Sequence, residues 1–188
     1  MRWQQLFADL GAQFDEAEAA AEQAEAASRA RAEMGAVGLS ERLAGAVGAP
    51  VALRCRGVGQ VSGVLVDVGA DWLLVEEDGG REALVASAAV SAVAGLSRQT
   101  ASVDHGVVRG RLDLRWAVRA LARDRSAVQV MLSDGGVLTG TVDRVGADFL
   151  ELAEHPLEEP RRAAAVRGVQ AVPLAAVAAI RTVTAGLG

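Results

Sequence analysis

Lysine, asparagine and tyrosine are absent from this 188-residue chain, isoleucine and cysteine occur once each, and histidine twice. Each scarcity removes a class of chemistry. A single cysteine, Cys55, permits no disulfide within the chain, which fits a reducing compartment. Two histidines and one cysteine do not make a standard zinc site. His105 and His155 fall in a linker and an insertion, unspaced with any acid or nucleophile. Cys55 occupies an inward-facing strand position, where a thiol behaves as a small hydrophobe. No catalytic residue, metal or cofactor is therefore expected, and the chain reads as a non-enzyme. Gly57-Val-Gly59-Gln-Val-Ser-Gly63 leads into a strand, whereas a dinucleotide-binding glycine turn leads into a helix. The apolar runs are too short to span a bilayer, and no apolar leader is recognised. A cytoplasmic protein without membrane contact is expected.

With aromatics at only 3%, the core must be built from Val, Leu and Ala. All 19 basic residues are Arg, and the weight of Ala, Gly, Val and Arg codons indicates a high-GC genome. The net charge of −5 is unevenly spread. Residues 1–38 hold seven acids against three Arg, whereas residues 96–127 hold seven Arg against three Asp. The acidic total disfavours strong non-specific phosphate binding by the whole molecule and leaves room for a local basic surface.

What the chain does have is a repeat. Gly63-Val-Leu-Val-Asp-Val-Gly-Ala-Asp-Trp-Leu-Leu-Val75 returns 77 residues later as Gly140-Thr-Val-Asp-Arg-Val-Gly-Ala-Asp-Phe-Leu-Glu-Leu152, with six of 13 positions identical. Upstream, Val51, Leu53, Cys55, Gly59 and Val61 align without a gap on Val128, Val130, Leu132, Gly136 and Leu138. Downstream, after about ten extra residues in the second copy, Leu84–Val93 aligns with Ala171–Ile180. A unit of this size is a small domain rather than a solenoid repeat.

Four segments follow. Residues 1–38 carry an acidic amphipathic helix over 1–34, with Trp3, Leu6, Phe7, Leu10 and Phe14 at helical spacing. Residues 39–96 open with a short helix at 41–47, capped by Ser40, and continue as five strands, 51–55, 60–68, 72–77, 81–86 and 90–94. Residues 97–110 form a polar linker. Residues 111–188 hold a helix at 111–124 and strands near 127–133, 136–145, 149–154, 169–173 and 177–183, with a projecting insertion at 155–168. The fold class is α+β: a long N-terminal helix and two tandem five-stranded barrels, each preceded by a helix, because closure removes exposed edges.

The run Val128–Val142, followed by Asp148–Leu152 and Val172–Val177, resembles the Sm-like fold, an SH3-like small barrel. Strand, Gly turn, bent Gly-containing second strand, Asp turn and apolar third strand come in that order. In the first copy the matching elements are Val51–Cys55, Gly59–Val68, Asp71–Val75 and Val85–Val90. The resemblance covers roughly 39–95 and 115–183. It implies binding of RNA or protein and assembly into rings. Sm-like proteins clamp bases with Asn, His or Lys and stack them on side chains near the third strand. Here Asn and Lys are absent, and Trp72 and Phe149 are the third-strand aromatics, read either as core or as a stacking platform. Asp71 and Asp148 match the family's turn Asp, a residue that turns favour on their own account. The opening Met1–Leu10 is similar to an uncharacterised high-GC bacterial family often labelled Fis-type transcriptional regulators. No helix-turn-helix accompanies it, so DNA binding is the lesser alternative.

Arg111, Arg115, Arg119 and Arg123 recur every fourth residue and draw one drifting stripe along the helix at 111–124. They are the candidate RNA contacts. A solvated face paired locally with Asp113 and Asp124, or a dock for the acidic Glu16–Glu25 stretch, accounts for the same spacing. The leading function is non-catalytic RNA binding. Its competitor is a protein-interaction or assembly module, with Trp3, Leu6, Phe7, Leu10 and Phe14 mediating docking to a protein partner or homo-oligomer formation.

Overall fold

The computed structural model describes residues 2–101, 112–157, 162 and 165–182. Packing divides the chain into two units, Met1–Gly38 and Leu39–Gly188. The first is a single helix, α1 (Arg2–Ala36), rich in Ala, Glu and Gln, the residues with high helix propensity. Glu25 and Arg29 pair one turn apart on it at 3.8 Å.

The second unit begins with α2 (Leu39–Ala44) and continues as β1 (Pro50–Cys55), β2 (Gly59–Val68), β3 (Trp72–Glu77), β4 (Arg81–Ala86) and β5 (Val90–Ala94). After α3 (Leu114–Asp124) come β6 (Ala127–Leu132), β7 (Val137–Val145), β8 (Phe149–Glu154), β9 (Gly168–Pro173) and β10 (Val177–Thr182). Single-turn 3₁₀ helices join β4 to β5 and β9 to β10. Ser40 lies inside α2, which starts at Leu39, so it is not the cap expected of it.

The strands do not form two separate sheets. They make one antiparallel ten-stranded sheet in the order β5-β1-β2-β3-β4-β10-β6-β7-β8-β9. The expectation of two independent barrels missed the ladder between β4 and β10, where Val85, Leu84 and Ala83 face Ala179, Ile180 and Arg181. Within each set of five, the pairing follows the repeat closely. Val51↔Gly63 becomes Val128↔Gly140, and Trp72↔Ala86 becomes Phe149↔Pro173. Even the irregularities recur, between Leu65 and Asp67 and again between Val142 and Arg144.

The repeated Gly-Ala-Asp turn has a packing cause. A Cβ on Gly69 would lie 2.2 Å from the Trp72 ring, and one on Gly146 would lie 2.3 Å from the Phe149 ring. The aromatic opening each third strand thus folds back over the glycine three residues earlier, and no larger side chain fits beneath it.

Two apolar clusters fill the unit. One gathers Leu43, Val51, Leu53, Cys55, Val61, Leu65 and Val75; the other gathers Leu114, Val118, Val128, Val130, Leu150, Leu152 and Ile180. The β4–β10 seam feeds both. Leu84 and Ala86 of β4 pack in the second cluster, and Ala179 of β10 packs in the first. Alternation along a strand sends neighbours to opposite faces, so Leu84-Val-Ala86 is apolar throughout because both of its faces are covered.

Candidate binding surfaces

α3 starts where two carboxylates supply acceptors for its free N–H groups. Asp113 Oδ1 accepts from Trp116 N at 2.9 Å, and Asp71 Oδ1 accepts from Leu114 N at 2.6 Å. The turn aspartate of the first repeat is thereby a helix anchor. Leu114 and Val118 are buried. Arg119 and Arg123 are exposed, with no ion pair among the described residues. Arg115 is half-buried, its Nε 3.6 Å from Asp113 Oδ2. Arg111 lies outside the described residues. Arg125 closes the helix in the left-handed region (φ 54°) and pairs with Asp143 at 2.9 Å, a partner that the four-residue spacing does not reveal.

Beside the N-terminus of α3 opens a groove of about 400 Å³ lined by Asp71, Asp113, Asp148, Arg115, Leu174 and Val177. Among the described residues of this lining, three carboxylates stand against one guanidinium, a balance unfavourable for phosphate. Trp72 is no stacking platform: it is 6% exposed, and its Nε1–H donates to the Leu112 carbonyl at 2.8 Å. Phe149 is half-buried.

On the other side of Trp72, a cleft of about 280 Å³ runs between α3 and the sheet. Trp72, Leu74, Leu84, Trp116, Leu121 and Ile180 form its apolar walls. Among the described residues, Asp67, Glu82 and Asp124 carry the charge of its lining.

The sheet ends in β5 and β9, each paired on one side only among the described residues. Ser91, Ala92 and Ala94 of β5 are exposed, as are Val169, Gln170, Ala171 and Pro173 of β9. Neither strand carries a charge.

On α1, Trp3, Phe7, Leu10 and Phe14 are exposed along the helix. The side chain of Leu6 lies outside the described residues.

His155, expected in a projecting insertion, is 2% exposed. Its Nδ1 lies 2.8 Å from the Pro156 carbonyl, an acceptor, so Nδ1 carries the proton. Nε2 then accepts from the Thr141 hydroxyl at 2.8 Å. The sequence signal for this was a lone histidine directly after β8 with a threonine on β7. Cys55 is buried, and burial pushes its thiol up, partly opposed by the Arg181 charge. Among the described residues, no three His, Cys, Asp or Glu side chains come together to hold a metal, and no helix is long and apolar enough to cross a membrane. No protein-family model matches the chain, and no curated protein matches it significantly.

Proposed function

We propose that this protein is a non-catalytic assembly module that joins copies of itself by strand addition, each five-stranded half being one Sm-like barrel led by a helix. The unequal fate of equivalent strands carries the reading. β4 and β10 meet inside the chain, whereas their repeat counterparts β9 and β5 stand at the two ends of the sheet. Solitary edges are usually blunted by charge, proline or bulges; these two hold no charge, Pro173 is the last residue of its strand, and the bulge of β5 at Ser91 recurs in β10 between Val177 and Ala179 without preventing its pairing with β4.

Carrying the inner register over by the 87-residue offset of these strands pairs Ala92 with Val172, Val93 with Ala171 and Ala94 with Gln170. Ala171 and Ala92 stand for Leu84 and Ala179, which are buried at the inner seam, and are themselves apolar and exposed. Pro173 stands for Ala86, beyond the last pair of the inner ladder, so its missing N–H costs no ladder bond. The junction is head-to-tail, and such junctions close into a ring or run on as a filament. It is also weaker than the inner seam. Ala171 replaces Leu84 and Ala94 replaces Arg181, so assembly depends on concentration.

The test is a mixture. Ala94→Cys in one sample and Gln170→Cys in another, combined and oxidised, are expected to cross-link only to each other. Light scattering of the unmodified protein should show mass rising with concentration. Equal cross-linking within each sample, or a monomer mass throughout, would overturn the reading.

A second reading, RNA binding, rests on Arg119 and Arg123, exposed one turn apart on α3. Single-stranded RNA would meet them through phosphate, without sequence preference. Replacing both by Ala should then flatten the log–log salt dependence by about 0.7 per lost contact. Fluorescence anisotropy at low ionic strength with no binding by the unaltered protein removes this reading.

A further inference from the structure

We infer that α1 pairs antiparallel with the α1 of a second copy, the bulky half of each helix lying against the small half of the other. The seam is written in the spacing. Trp3, Phe7, Leu10, Phe14, Ala17, Ala21, Ala24 and Ser28 follow one another at alternating steps of four and three residues, the rhythm of a coiled-coil seam. Every acidic position of α1 falls off this line, and the first charge on it is Arg31. Trp3, Phe7, Leu10 and Phe14 are exposed along the helix, and so are the four small residues that continue the line.

Side-chain size selects both the occupant and its direction. A parallel copy sets ring against ring at one end and methyl against methyl at the other, and no single distance between the helices suits both. Turned about a two-fold axis between positions 15 and 16, the same helix sets Trp3 against Ser28, Phe7 against Ala24, Leu10 against Ala21 and Phe14 against Ala17. Each large side chain then has a small one across from it, the alternation that fills a seam evenly. Both copies use one and the same surface, as a two-fold interface requires. Charge permits this register. Glu18 and Glu25, which flank the seam, come opposite Gly11 and Gln4, so no like charges meet. Area suffices as well. Six aromatic rings at about 150–250 Å² each, with two leucines, reach the range of roughly 1,200–2,000 Å² that stable interfaces bury. The pairing rests on α1 alone and not on strand addition. Together the two contacts would tie head-to-tail runs of the protein side by side.

Cysteine cross-linking on the full chain tests the pairing. Leu10→Cys and Ala21→Cys are prepared separately, then held in a glutathione redox buffer alone and mixed; Cys55 is buried and does not compete. The mixture is expected to yield a covalent dimer and the separate samples none. In an antiparallel pair two residues at position 21, or two at position 10, lie about 16 Å apart along the axis, beyond the reach of a disulfide. Ala24→Leu added to both proteins should lower the yield, because it sets bulk against Phe7 of the second copy. A face that docks on anything without this complementarity would gain from the added leucine. A mixture without dimer, a dimer from Ala21→Cys alone, or a yield undiminished by Ala24→Leu would each overturn the pairing. Phe7→Glu with Phe14→Glu should abolish the α1 cross-link and leave that between Ala94→Cys and Gln170→Cys intact, so the failure of one contact is told from the failure of the other.

Discussion

Arg181 on β10 grips Glu77 on β3 with two parallel hydrogen bonds, Nε to Oε2 at 2.7 Å and Nη2 to Oε1 at 2.8 Å. The two residues are 104 positions apart and belong to different halves of the repeat. Both side chains are largely shielded from water, and the fork geometry fixes their relative position as well as their attraction. Arg181→Ala should destabilise the chain by about 2 kcal/mol, the scale for hydrogen bonds to charged groups. Arg181→Lys should recover little of that, because an ammonium lacks the fork. Urea denaturation of the three proteins checks both statements.

Cys55 should be silent to thiol reagents in the folded protein. Burial raises its pKa, so the reactive thiolate is scarce as well as inaccessible. The sign for stability follows from the raised value. Below the ordinary thiol pKa, folded and unfolded chains are both neutral at this site and the contribution is fully present. As pH rises past that value the unfolded chain ionises first, and stability falls until the folded thiol ionises too. Relative to a Cys55→Ala variant, unfolding free energy should be flat up to about pH 8 and decline above it.

The buried Thr141–His155 pair should behave non-additively. Thr141→Val leaves the His155 Nε2 without a donor and should cost about 1–3 kcal/mol. His155→Leu should cost a similar amount by orphaning the Thr141 hydroxyl. The double variant should be less destabilised than the sum of the two, since both partners are then apolar. Thermal melts of the four proteins give the coupling energy directly.

Two glycine substitutions should have opposite signs. Gly69→Ala drives a methyl into the Trp72 ring and should destabilise by about 1–3 kcal/mol, with a red-shifted indole emission as the ring is displaced. Gly11→Ala, in the middle of α1 with no neighbour within 4 Å, should strengthen that helix by about 1 kcal/mol. Calorimetry and far-ultraviolet circular dichroism separate the two.

Local structure was legible in the residues because the repeat doubled every signal. Apolar runs bounded by turn residues located β3, β4, β5 and β8 at their observed bounds, and the Gly-Ala-Asp turn marked the same corner twice. The seam was not legible. Leu84-Val-Ala86 reads as an ordinary inward strand, and a sequence does not say whose interior it enters. The hint lay in the contrast between Leu84 and its counterpart Ala171, which differ in bulk because one is covered on both faces and the other is not. His155 was misplaced for a related reason. Its partner Thr141 is 14 residues back on β7, and a histidine beside a proline looks like a loop until the ring is seen turned inward. Arg115, Arg119 and Arg123 showed the period of a helix face, and the expected local pairing with Asp113 is present at Arg115.

Leu84 lies in the first half by position and in the second half by packing, and Ala179 is its reverse. Each half therefore lends a side chain to the interior of the other. A break of the chain between Ala101 and Leu112 would leave two fragments, each with an unfilled core and a bare strand, and each able to complete the other on mixing. The two copies are consequently no longer free to diverge alone: a larger residue at position 84 must be accommodated by Ile180, its ladder partner in the other copy, or by the cluster that both share.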